Sequence, residues 1–372
     1  MTTYKEAGVD LDLGNEASKI LYNAAKLTWE NRKGRLGEVV ELFSDFSGIR
    51  GSDIGGLPKG TFTNLGFDGV GTKIEIAERM EKHDTVAYDL FAMVCDDAVR
   101  FGAEPVMVGS VLDVNSLDGN IDYLRQMAKG YVDAAREAGV AVVNGEIAEL
   151  GARVRGYGDF NYNWAAGAVW FMHRSKAITG LEIKLGDHLI GFRENGFRSN
   201  GLSLTRKILE NHFGENWHEV LWEDGKTLGE MVLTPSIIYA KAIVDMLGGY
   251  DANVPPKVKI HGIAHITGGG IPEKLGRILK STGFGAVIDE PFEPPRFMDY
   301  VQYLGNVSDE EACRTWNRGQ GMIVITPEPE KVVQVAELHG INAQWMGEIT
   351  EKPGIIIKNV NAFSNGGYLS FS

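Results

Sequence analysis

The chain has little cysteine, no long apolar run and no excess of positive charge. Only Cys95 and Cys313 occur among 372 residues, too few for a disulfide framework, which agrees with a reducing cytoplasm. No apolar run approaches the roughly 20 residues that span a bilayer, and the first residues lack the apolar segment of a signal peptide. A net charge of -13 argues against binding along a nucleic-acid backbone. We therefore expect a cytoplasmic protein with neither nucleic acid nor membrane as a partner.

What is present fits a globular α/β or α+β chain of two domains. Apolar residues make up 44% and charged residues 23% of the chain, and 372 residues exceed the usual size of one domain. Strand-like and helix-like segments alternate from about residue 60 onward. We place the domain boundary near residue 176, which gives an N-terminal domain over 1–176 and a C-terminal domain over 177–372.

The pattern predicts particular strands and helices in each domain. In the first, the strands are "TFTNLGF", "EPVMVGSVLDV", "VAVVNGE" and "NWAAGAVWFMH", and the helices are "DTVAYDLFAMVCDDAVRFG" and "IDYLRQMAKGYVDAAREAG". In the second, the strands include residues 187–192 and "GMIVIT", and the helices are "LSLTRKILENHF", "PSIIYAKAIVDML", "IPEKLGRILKS" and "EKVVQVAELHG".

The stretch "GFDGVGTK" resembles a Walker A phosphate loop whose last two residues are reversed. It lies where a strand ends and a helix begins, so backbone N–H groups near Gly69 and Gly71 can point at an anion. A carboxylate beside phosphate requires a cation between them, so Asp68 indicates Mg²⁺, with Lys73 as a direct cation. A plain turn with a solvated aspartate remains the alternative.

Three further acids extend this candidate site. Asp97 shares an apolar helical stripe with Leu90, Val94, Ala98 and Phe101, so we expect it to be buried and paired, whereas Asp96 lies towards the polar side. Asp113 and Glu146 each follow a strand-like run, where α/β folds place ligand-binding groups. Oxygen ligands alone suit Mg²⁺ on a nucleotide better than zinc. For Asp97 the alternative is a buried aspartate that caps a nearby loop.

The second domain contains another glycine loop. Thr267 and three glycines precede Pro272 at a predicted helix start, an arrangement suited to a phosphate monoester. His261 and His265 are four residues apart, but the segment reads as a strand, so we expect one structural histidine and one site histidine. The residues "RSNG" before the helix "LSLTRKIL" form a further loop, for which a plain N-cap is the alternative.

These motifs together resemble the phosphoribosylformylglycinamidine cyclo-ligase family. The resemblance runs nearly end to end and includes "YKEAGVD", "SDIGGLP", "DGVGTK", "HDTVAYDLFAMVCDD", "RSNGLSLTRKIL", "LTPSIIYAKAI", "IAHITGGG" and "MGEI". It implies an ATP- and Mg²⁺-dependent ligase that closes a C–N bond in de novo purine biosynthesis. It also implies a homodimer whose N-terminal sheets pair into a barrel.

By position, the resemblance assigns a role to each motif residue. The expected Mg²⁺ ligands are Asp68, Asp97 and Glu146. ATP contacts are expected from Asp68, Gly69, Gly71, Thr72, Lys73, Asp97 and Asp113. The substrate phosphate is expected at Ser199, Asn200, Thr267, Gly268, Gly269 and Gly270. The catalytic residues would be Lys73 and His265, the latter for proton transfer.

The chain also departs from the family pattern. Phe67 stands where a small hydroxyl residue is usual, Arg198 replaces a histidine before Ser-Asn-Gly, and Arg318 interrupts a small, neutral stretch. We hypothesise that phosphate contacts have moved onto these arginines. The alternatives are a diverged paralogue that acts on another substrate and a non-catalytic nucleotide-binding protein.

Overall fold

The computed structural model of this chain describes residues 10–41 and 49–372. Within these residues the helices are α1 (Leu11–Thr28), α2 (Ile74–Met80), α3 (Val86–Val99), α4 (Ile121–Ala138), α5 (Leu202–Phe213), α6 (Leu228–Val232), α7 (Ala240–Leu247), α8 (Gly270–Leu279), α9 (Arg296–Leu304), α10 (Asp309–Thr315) and α11 (Pro329–Leu338). The strands are β1 (Val40–Glu41), β2 (Arg50–Gly51), β3 (Thr61–Gly69), β4 (Glu104–Val114), β5 (Ala141–Glu149), β6 (Tyr162–His173), β7 (His188–Arg193), β8 (Gly262–His265), β9 (Gly285–Ile288), β10 (Gln320–Thr326), β11 (Ala343–Thr350), β12 (Gly354–Lys358) and β13 (Tyr368–Phe371). The motif "YKEAGVD" lies outside the described residues except for Asp10.

In the part of the chain that the structure describes, the helices that pack on the first sheet lie on one of its faces. Its strand order is β3-β6-β4-β5, with β4 and β5 parallel and the other pairs antiparallel. Along β4, Val108 and Leu112 are buried under the helices, whereas Val111 between them is 48% exposed. Leu65 and Phe67 of β3 are 48% and 76% exposed on the same outer face. Because side chains alternate along a strand, this sheet has one face in the core and one apolar face in solvent.

The second sheet is covered on both faces. Its order is β13-β12-β9-β11-β7-β10-β8, antiparallel except between β12 and β9. Every residue of β10 is buried. Met322 and Val324 join a core cluster with α7 and α11, while Ile323 and Ile325 join a second cluster with α8. Alternate side chains of the near-continuous apolar run "GMIVIT" thus pack into the two clusters on opposite faces of the sheet.

The two domains share one hydrophobic core. The larger cluster of buried side chains runs from α3 and α4 of the first domain through α7 to β7 and β10 of the second. None of the helices in the described ranges is long and apolar enough to cross a bilayer. The two-domain mixed α/β architecture predicted from the sequence is confirmed. The boundary near residue 176 stays a prediction, in the segment between β6 and β7.

Most predicted elements are present. "EPVMVGSVLDV" is β4 and "LSLTRKILENHF" is α5, and the other predicted strands agree to within a few residues. Two differences stand out. No element was predicted before residue 60, yet α1 begins at Leu11, where the Asp10 side chain accepts hydrogen bonds from the N–H groups of Asp12 (3.0 Å) and Leu13 (3.3 Å).

The segment "PSIIYAKAIVDML" is helical only from Ala240, so its first half was predicted wrongly. Its backbone is used by carboxylates instead: Glu194 accepts from the Ile237 N–H (3.2 Å) and Asp96 accepts from the Tyr239 N–H (2.9 Å). Residues 234–239 are therefore an irregular segment that connects α3 to Glu194 of the second domain, because the tertiary hydrogen bonds outweigh local helix propensity.

Candidate active site

The loop after β3 has the expected strand-to-helix geometry. Asp68 lies near the end of β3, Gly71 has φ +70°, and a short 3₁₀ turn leads into α2. The Asp68 carboxylate accepts the Gly69 N–H at 2.7 Å. Burial raises the pKa of Asp68, the Gly69 hydrogen bond opposes this, and the negative charge of Asp97 raises it further. Asp68 and Asp97 are therefore close enough to repel one another.

The burial of the two adjacent aspartates of α3 is opposite to expectation, although Asp97 is paired as expected. Asp96 is fully buried, 3.0 Å from the Arg198 guanidinium, whereas the Asp97 side chain is 42% exposed. Asp97 Oδ1 lies 3.0 Å from His265 Nδ1 and 3.3 Å from Arg100 Nε. Burial alone would raise the pKa of Asp97, but the hydrogen bond from His265 and the nearby cations lower it below its usual value. The prediction failed because α3 is buried almost all round, so an apolar stripe does not define one face.

Lys73 does not point into the cleft. Its side chain is fully buried, and Nζ lies 2.7 Å from Asp89 Oδ1 and 2.5 Å from the Thr234 carbonyl. The Ser236 hydroxyl also donates to Asp89 Oδ1, at 2.5 Å. The ammonium expected at the nucleotide phosphates is thus used in an ion pair within the first domain, and the hydrogen bonds of this pair to Thr234 and Ser236 join it to the second domain.

The two unusual arginines are also internal, which corrects the hypothesis that they contact phosphate. Arg198 is 1% exposed and is bonded to Glu194, Asp96, His265 and the Ile237 carbonyl. Arg318 is 3% exposed and is bonded to Asp299 and Asn361. Both have positive φ, 56° and 51°, a strained backbone that these side-chain contacts stabilise.

His265 ends β8 and is held at both ring nitrogens. Nδ1 faces Asp97 Oδ1 at 3.0 Å and Nε2 faces Arg198 Nη2 at 2.9 Å. Burial, with Arg198 adding to it and Asp97 opposing, lowers the pKa of His265 to about 4. The expected split of the two histidines holds in geometry, since His261 pairs with Asp187 at 2.6 Å. A neutral His265 with both nitrogens engaged is not a free proton donor.

The second-domain glycine loop has a backbone that excludes side chains. Gly269 and Gly270 have φ +94° and +60°, and a Cβ on Gly270 would lie 1.9 Å from the Cys313 carbonyl. They lead into α8, whose N-terminal N–H groups face the loop. Asn200 packs against Gly268, 3.5 Å from its ideal Cβ position. Within the described residues, Ser199 Oγ and Asn200 Oδ1 are buried without a hydrogen-bond partner.

The loops of both domains converge. Thr72 Oγ1 lies 3.5 Å from Ser203 Oγ, and the Cβ position of Gly71 is 3.8 Å from the Ser199 carbonyl. A small cavity at Asp97 and His265 is lined by these two residues and by Arg100, Ile263, Ala264, Lys274, Arg277 and Ile278. The structure thus combines the DGVGT, RSNG and TGGG loops in one cleft with acids and cations.

Two cationic neighbours of the acids were missed by sequence reasoning. Lys274 lowers the pKa of both Asp68 and Asp97, and Arg100 contacts Asp97. A usable signal was available for Lys274, since it lies four residues after Gly270 in the first turns of α8. Arg100 follows Asp97 at a spacing of three, which places the two on one side of a helix.

Glu146 and Asp113 do not join this cleft. Asp68 pairs across the first sheet with Ala166, which pairs with Ser110, which pairs with Gly145, so these four residues share one face. Glu146 follows Gly145 directly, and side chains alternate along a strand, so Glu146 points to the opposite face. Asp113, three residues after Ser110, points to that opposite face as well. Among the described residues, no group of three His, Cys, Asp or Glu side chains could hold a metal. The predicted set of Asp68, Asp97 and Glu146 is therefore not assembled within one chain, and two acids remain.

Comparison with known families gives matches over both domains. Residues 53–169 match the model "AIR synthase related protein, N-terminal domain" and residues 184–358 match "AIR synthase related protein, C-terminal domain". A phosphoribosylformylglycinamidine cyclo-ligase of Thermococcus kodakarensis is 34% identical over 361 residues, 96% of this chain and 98% of the relative. One of Carboxydothermus hydrogenoformans is 36% identical over 359 residues, with the same coverage of both chains.

Solved structures share the fold at low identity. Thiamine-monophosphate kinase from Stenotrophomonas maltophilia superposes with a TM-score of 0.63 at 12% identity, over 92% of this chain and 96% of that one. The hydrogenase maturation protein HypE of E. coli gives 0.57 at 16% identity, over 95% and 96%. A HypE in complex with ATP gives 0.53 at 18%, over 83% and 84%.

Proposed function

The chain belongs to the phosphoribosylformylglycinamidine cyclo-ligase family, and we propose that it uses ATP to convert formylglycinamidine ribonucleotide to aminoimidazole ribonucleotide. The observation that carries this proposal is the match over both domains, with relatives of this activity that cover 96% of the chain. The cleft supports it, because two phosphate-type loops from different domains meet beside two carboxylates. A reaction in which ATP transfers a phosphoryl group to a substrate that already carries a phosphate needs a binding loop for each of the two.

The chemistry explains the need for ATP. The formyl oxygen of the substrate is a poor leaving group, so the γ-phosphoryl group is first transferred to it, releasing ADP. The amidine-side nitrogen then attacks the formyl carbon: a C–N bond forms, the C–O bond breaks, inorganic phosphate leaves, and the ring nitrogen loses a proton. Positioning and charge neutralisation dominate such catalysis.

Asp68 and Asp97 would hold Mg²⁺. Two carboxylates with water and phosphate oxygens form the usual protein site for this ion. The donor set fits, because the charge of each acid faces the other, a repulsion that a divalent cation would relieve. Bound Mg²⁺ would neutralise charge on the transferred phosphoryl group. Lys274, which faces both acids, would contact the nucleotide phosphates.

The glycine loops would hold the phosphates. Backbone N–H groups at Gly71 and Thr72 are assigned to the nucleotide, whereas the N–H expected from Gly69 is already donated to the Asp68 carboxylate. The substrate phosphate is assigned to the N-terminus of α8, where Thr267, Gly268 and Gly269 precede the helix and Gly270 is the first of its ten residues. Ser199 and Asn200 lie beside this loop, and among the described residues their buried Oγ and Oδ1 atoms have no hydrogen-bond partner, so they can bind the phosphate.

We also infer that the outer face of the first sheet binds a second copy of this chain. Leu65, Phe67 and Val111 are exposed together on that face, and the related enzymes are expected to pair through this sheet. Phe67→Glu is then expected to convert the dimer to a monomer in sedimentation velocity at equal concentration, with Leu181→Glu, an exposed apolar residue outside the sheet, as the matched control. A wild-type monomer at micromolar concentration would contradict this.

A cytoplasmic location is proposed on chemical grounds. The reaction draws on the cytoplasmic ATP supply, and both cysteines are free and buried. Fractionation of cells that express the tagged chain tests the location directly.

The activity test uses purified protein, ATP, Mg²⁺ and formylglycinamidine ribonucleotide. We expect ADP release only with substrate present, in a one-to-one ratio with aminoimidazole formation. ADP release with another formyl or carboxyl substrate alone would indicate a paralogue with a different substrate. Nucleotide binding without turnover would indicate a non-catalytic protein.

A further inference from the structure

Arg198 is bonded on both ends of its guanidinium. Nη1 donates to Glu194 Oε2 (2.8 Å) and to the Ile237 carbonyl (2.9 Å). Nη2 donates to Asp96 Oδ2 (3.0 Å) and faces His265 Nε2 at 2.9 Å. Two buried carboxylates, one from each domain, therefore fix the guanidinium in the position from which it contacts His265.

This contact determines where the proton of His265 lies. A guanidinium carries only donors, so His265 Nε2 must be the acceptor in the 2.9 Å contact. A neutral imidazole then carries its proton on Nδ1, which donates to Asp97 Oδ1 at 3.0 Å. Burial lowers the pKa of Arg198, but Glu194 and Asp96 outweigh it and keep the guanidinium charged.

The chain of contacts ends at the carboxylate assigned to the metal. The His265 hydrogen bond and Arg100 both reach Asp97 Oδ1. Asp97 is otherwise part-exposed, so these contacts set the direction of its carboxylate relative to Asp68. Hydrogen bonds of this kind, one step beyond a metal ligand, typically alter metal affinity about 10- to 100-fold when removed.

We propose that Arg198 is a positioning residue that fixes the Nδ1–H tautomer of His265 and thereby orients Asp97 towards the nucleotide-bound cation. The proposal rests on the proposed function only in naming a nucleotide-bound cation as the ligand of Asp97. The tautomer and the orientation follow from contacts within the chain itself. Arg198, which is buried, thus serves the site through His265.

The first test is the tautomer in the wild-type protein. Long-range ¹H–¹⁵N correlation spectra of protein with ¹⁵N-labelled histidine separate the two neutral tautomers and the cation of each ring, and His265→Gln assigns the signal among the eight histidines. We expect a neutral Nδ1–H form at pH 7. A neutral Nε2–H form or an imidazolium would overturn the proposal without any measurement of activity.

The second test compares two buried arginines. In Arg198→Lys the single ammonium cannot span the carboxylates and the histidine together. Arg318→Lys is the matched control, since Arg318 is equally buried, has a similar positive φ and contacts neither His265 nor Asp97. We expect mixed tautomers of His265 in Arg198→Lys, and a dissociation constant for Mn²⁺ with a non-hydrolysable ATP analogue raised about 10- to 100-fold by electron paramagnetic resonance.

The two variants distinguish positioning from general destabilisation. If Arg198 is a positioning residue, Arg318→Lys leaves both the His265 tautomer and the Mn²⁺ affinity unchanged, even if it lowers the melting temperature as much as Arg198→Lys does. Equal loss of Mn²⁺ affinity in both variants, or an unchanged tautomer and affinity in a folded Arg198→Lys, would contradict the proposal. Failure of the activity assay with a confirmed tautomer would instead count against the proposed function.

Discussion

Two pairs of aspartates in the first domain behave in opposite ways. Asp89 and Asp96 of α3 are fully buried, and each has a buried cation, Lys73 or Arg198. Asp68 and Asp97 are part-exposed at the cleft. Asp89 and Asp96 are two helical turns apart and share a face, whereas one residue further along a helix turns the side chain by about 100°. A single step along α3 thus separates a carboxylate that joins the domains from one that is presented to ligand.

The two pairs differ in how the charges of their carboxylates are compensated. A buried carboxylate is tolerated only with a cation and hydrogen bonds. Asp89 and Asp96 are therefore paired with Lys73 and Arg198, the cations of the two loop motifs. At the cleft, burial and the charge of Asp97 raise the pKa of Asp68, whereas His265 and Arg100 compensate the charge of Asp97 and lower its pKa. Lys73 and Arg198 are therefore buried partners of carboxylates, and we propose Asp68 and Asp97 as the acids that contact the ligand.

The largest expected effect concerns the buried pair. Lys73→Met leaves Asp89 buried and unpaired, so we expect the free energy of unfolding to fall by about 3–5 kcal/mol, measured by urea denaturation. Lys73→Met with Asp89→Asn should recover part of that loss, because no buried charge remains. If Lys73→Met instead retained full stability and lost only its affinity for ATP, the lysine would be a phosphate ligand and the comparison would fail.

The next effect concerns the exposed pair. Asp68→Asn keeps the shape of the side chain but removes a charge from the metal site, so we expect kcat/KM to fall on the order of 10²–10³-fold. The melting temperature should stay the same or rise, because the charged form of Asp68 is disfavoured by burial and by Asp97. A variant that lost stability and activity together would place Asp68 with the buried aspartates.

A smaller effect is expected at Lys274. Lys274→Met removes a cation that faces both cleft acids, and we expect the KM for ATP to rise about tenfold, equivalent to about 1.4 kcal/mol. Lys280→Met, an exposed lysine just beyond the same helix, serves as the matched control. The two variants should separate in initial-rate measurements over a range of ATP concentrations, and identical KM values would remove Lys274 from the site.

The smallest effect is a pH dependence. The pKa of Asp68 is raised above its ordinary value of 3.8, mainly by burial. The folded state therefore binds this proton more tightly than the unfolded state, and stability falls as pH rises through the folded pKa. We expect less than about 1 kcal/mol, since the group is part-exposed. In denaturation without Mg²⁺ from pH 4 to pH 7, the free energy of unfolding of wild type should fall relative to that of Asp68→Asn.

The elements with strong periodicity were predictable from the sequence. β4 and α5 have the predicted bounds, and the TGGG loop leads into a helix as expected. Residues 235–239 were not predictable, because their backbone N–H groups bond to carboxylates of α3 and of the loop after β7. Local patterns describe what a segment prefers and do not reveal which distant acceptor it meets.

The site was predictable in its residue types and less so in its pairings. Asp68, Asp97 and the glycine loops do meet in one cleft. The partner of Lys73 lies sixteen residues away, and that of Arg198 lies in the other domain. Glu146 follows a strand end as expected, but the register of β4 with β5 turns it to the outer face. Such pairings depend on tertiary packing and on the parity of strand register, which neither spacing nor composition encodes.

The fate of the formyl oxygen tests the account most directly. Formylglycinamidine ribonucleotide labelled with ¹⁸O in the formyl group would be converted with ATP and Mg²⁺, and the inorganic phosphate analysed by mass spectrometry. Phosphoryl transfer to that oxygen predicts one ¹⁸O atom in each phosphate formed, together with one aminoimidazole ribonucleotide. Unlabelled phosphate, with the ¹⁸O lost to water or retained in the nucleotide, would contradict it.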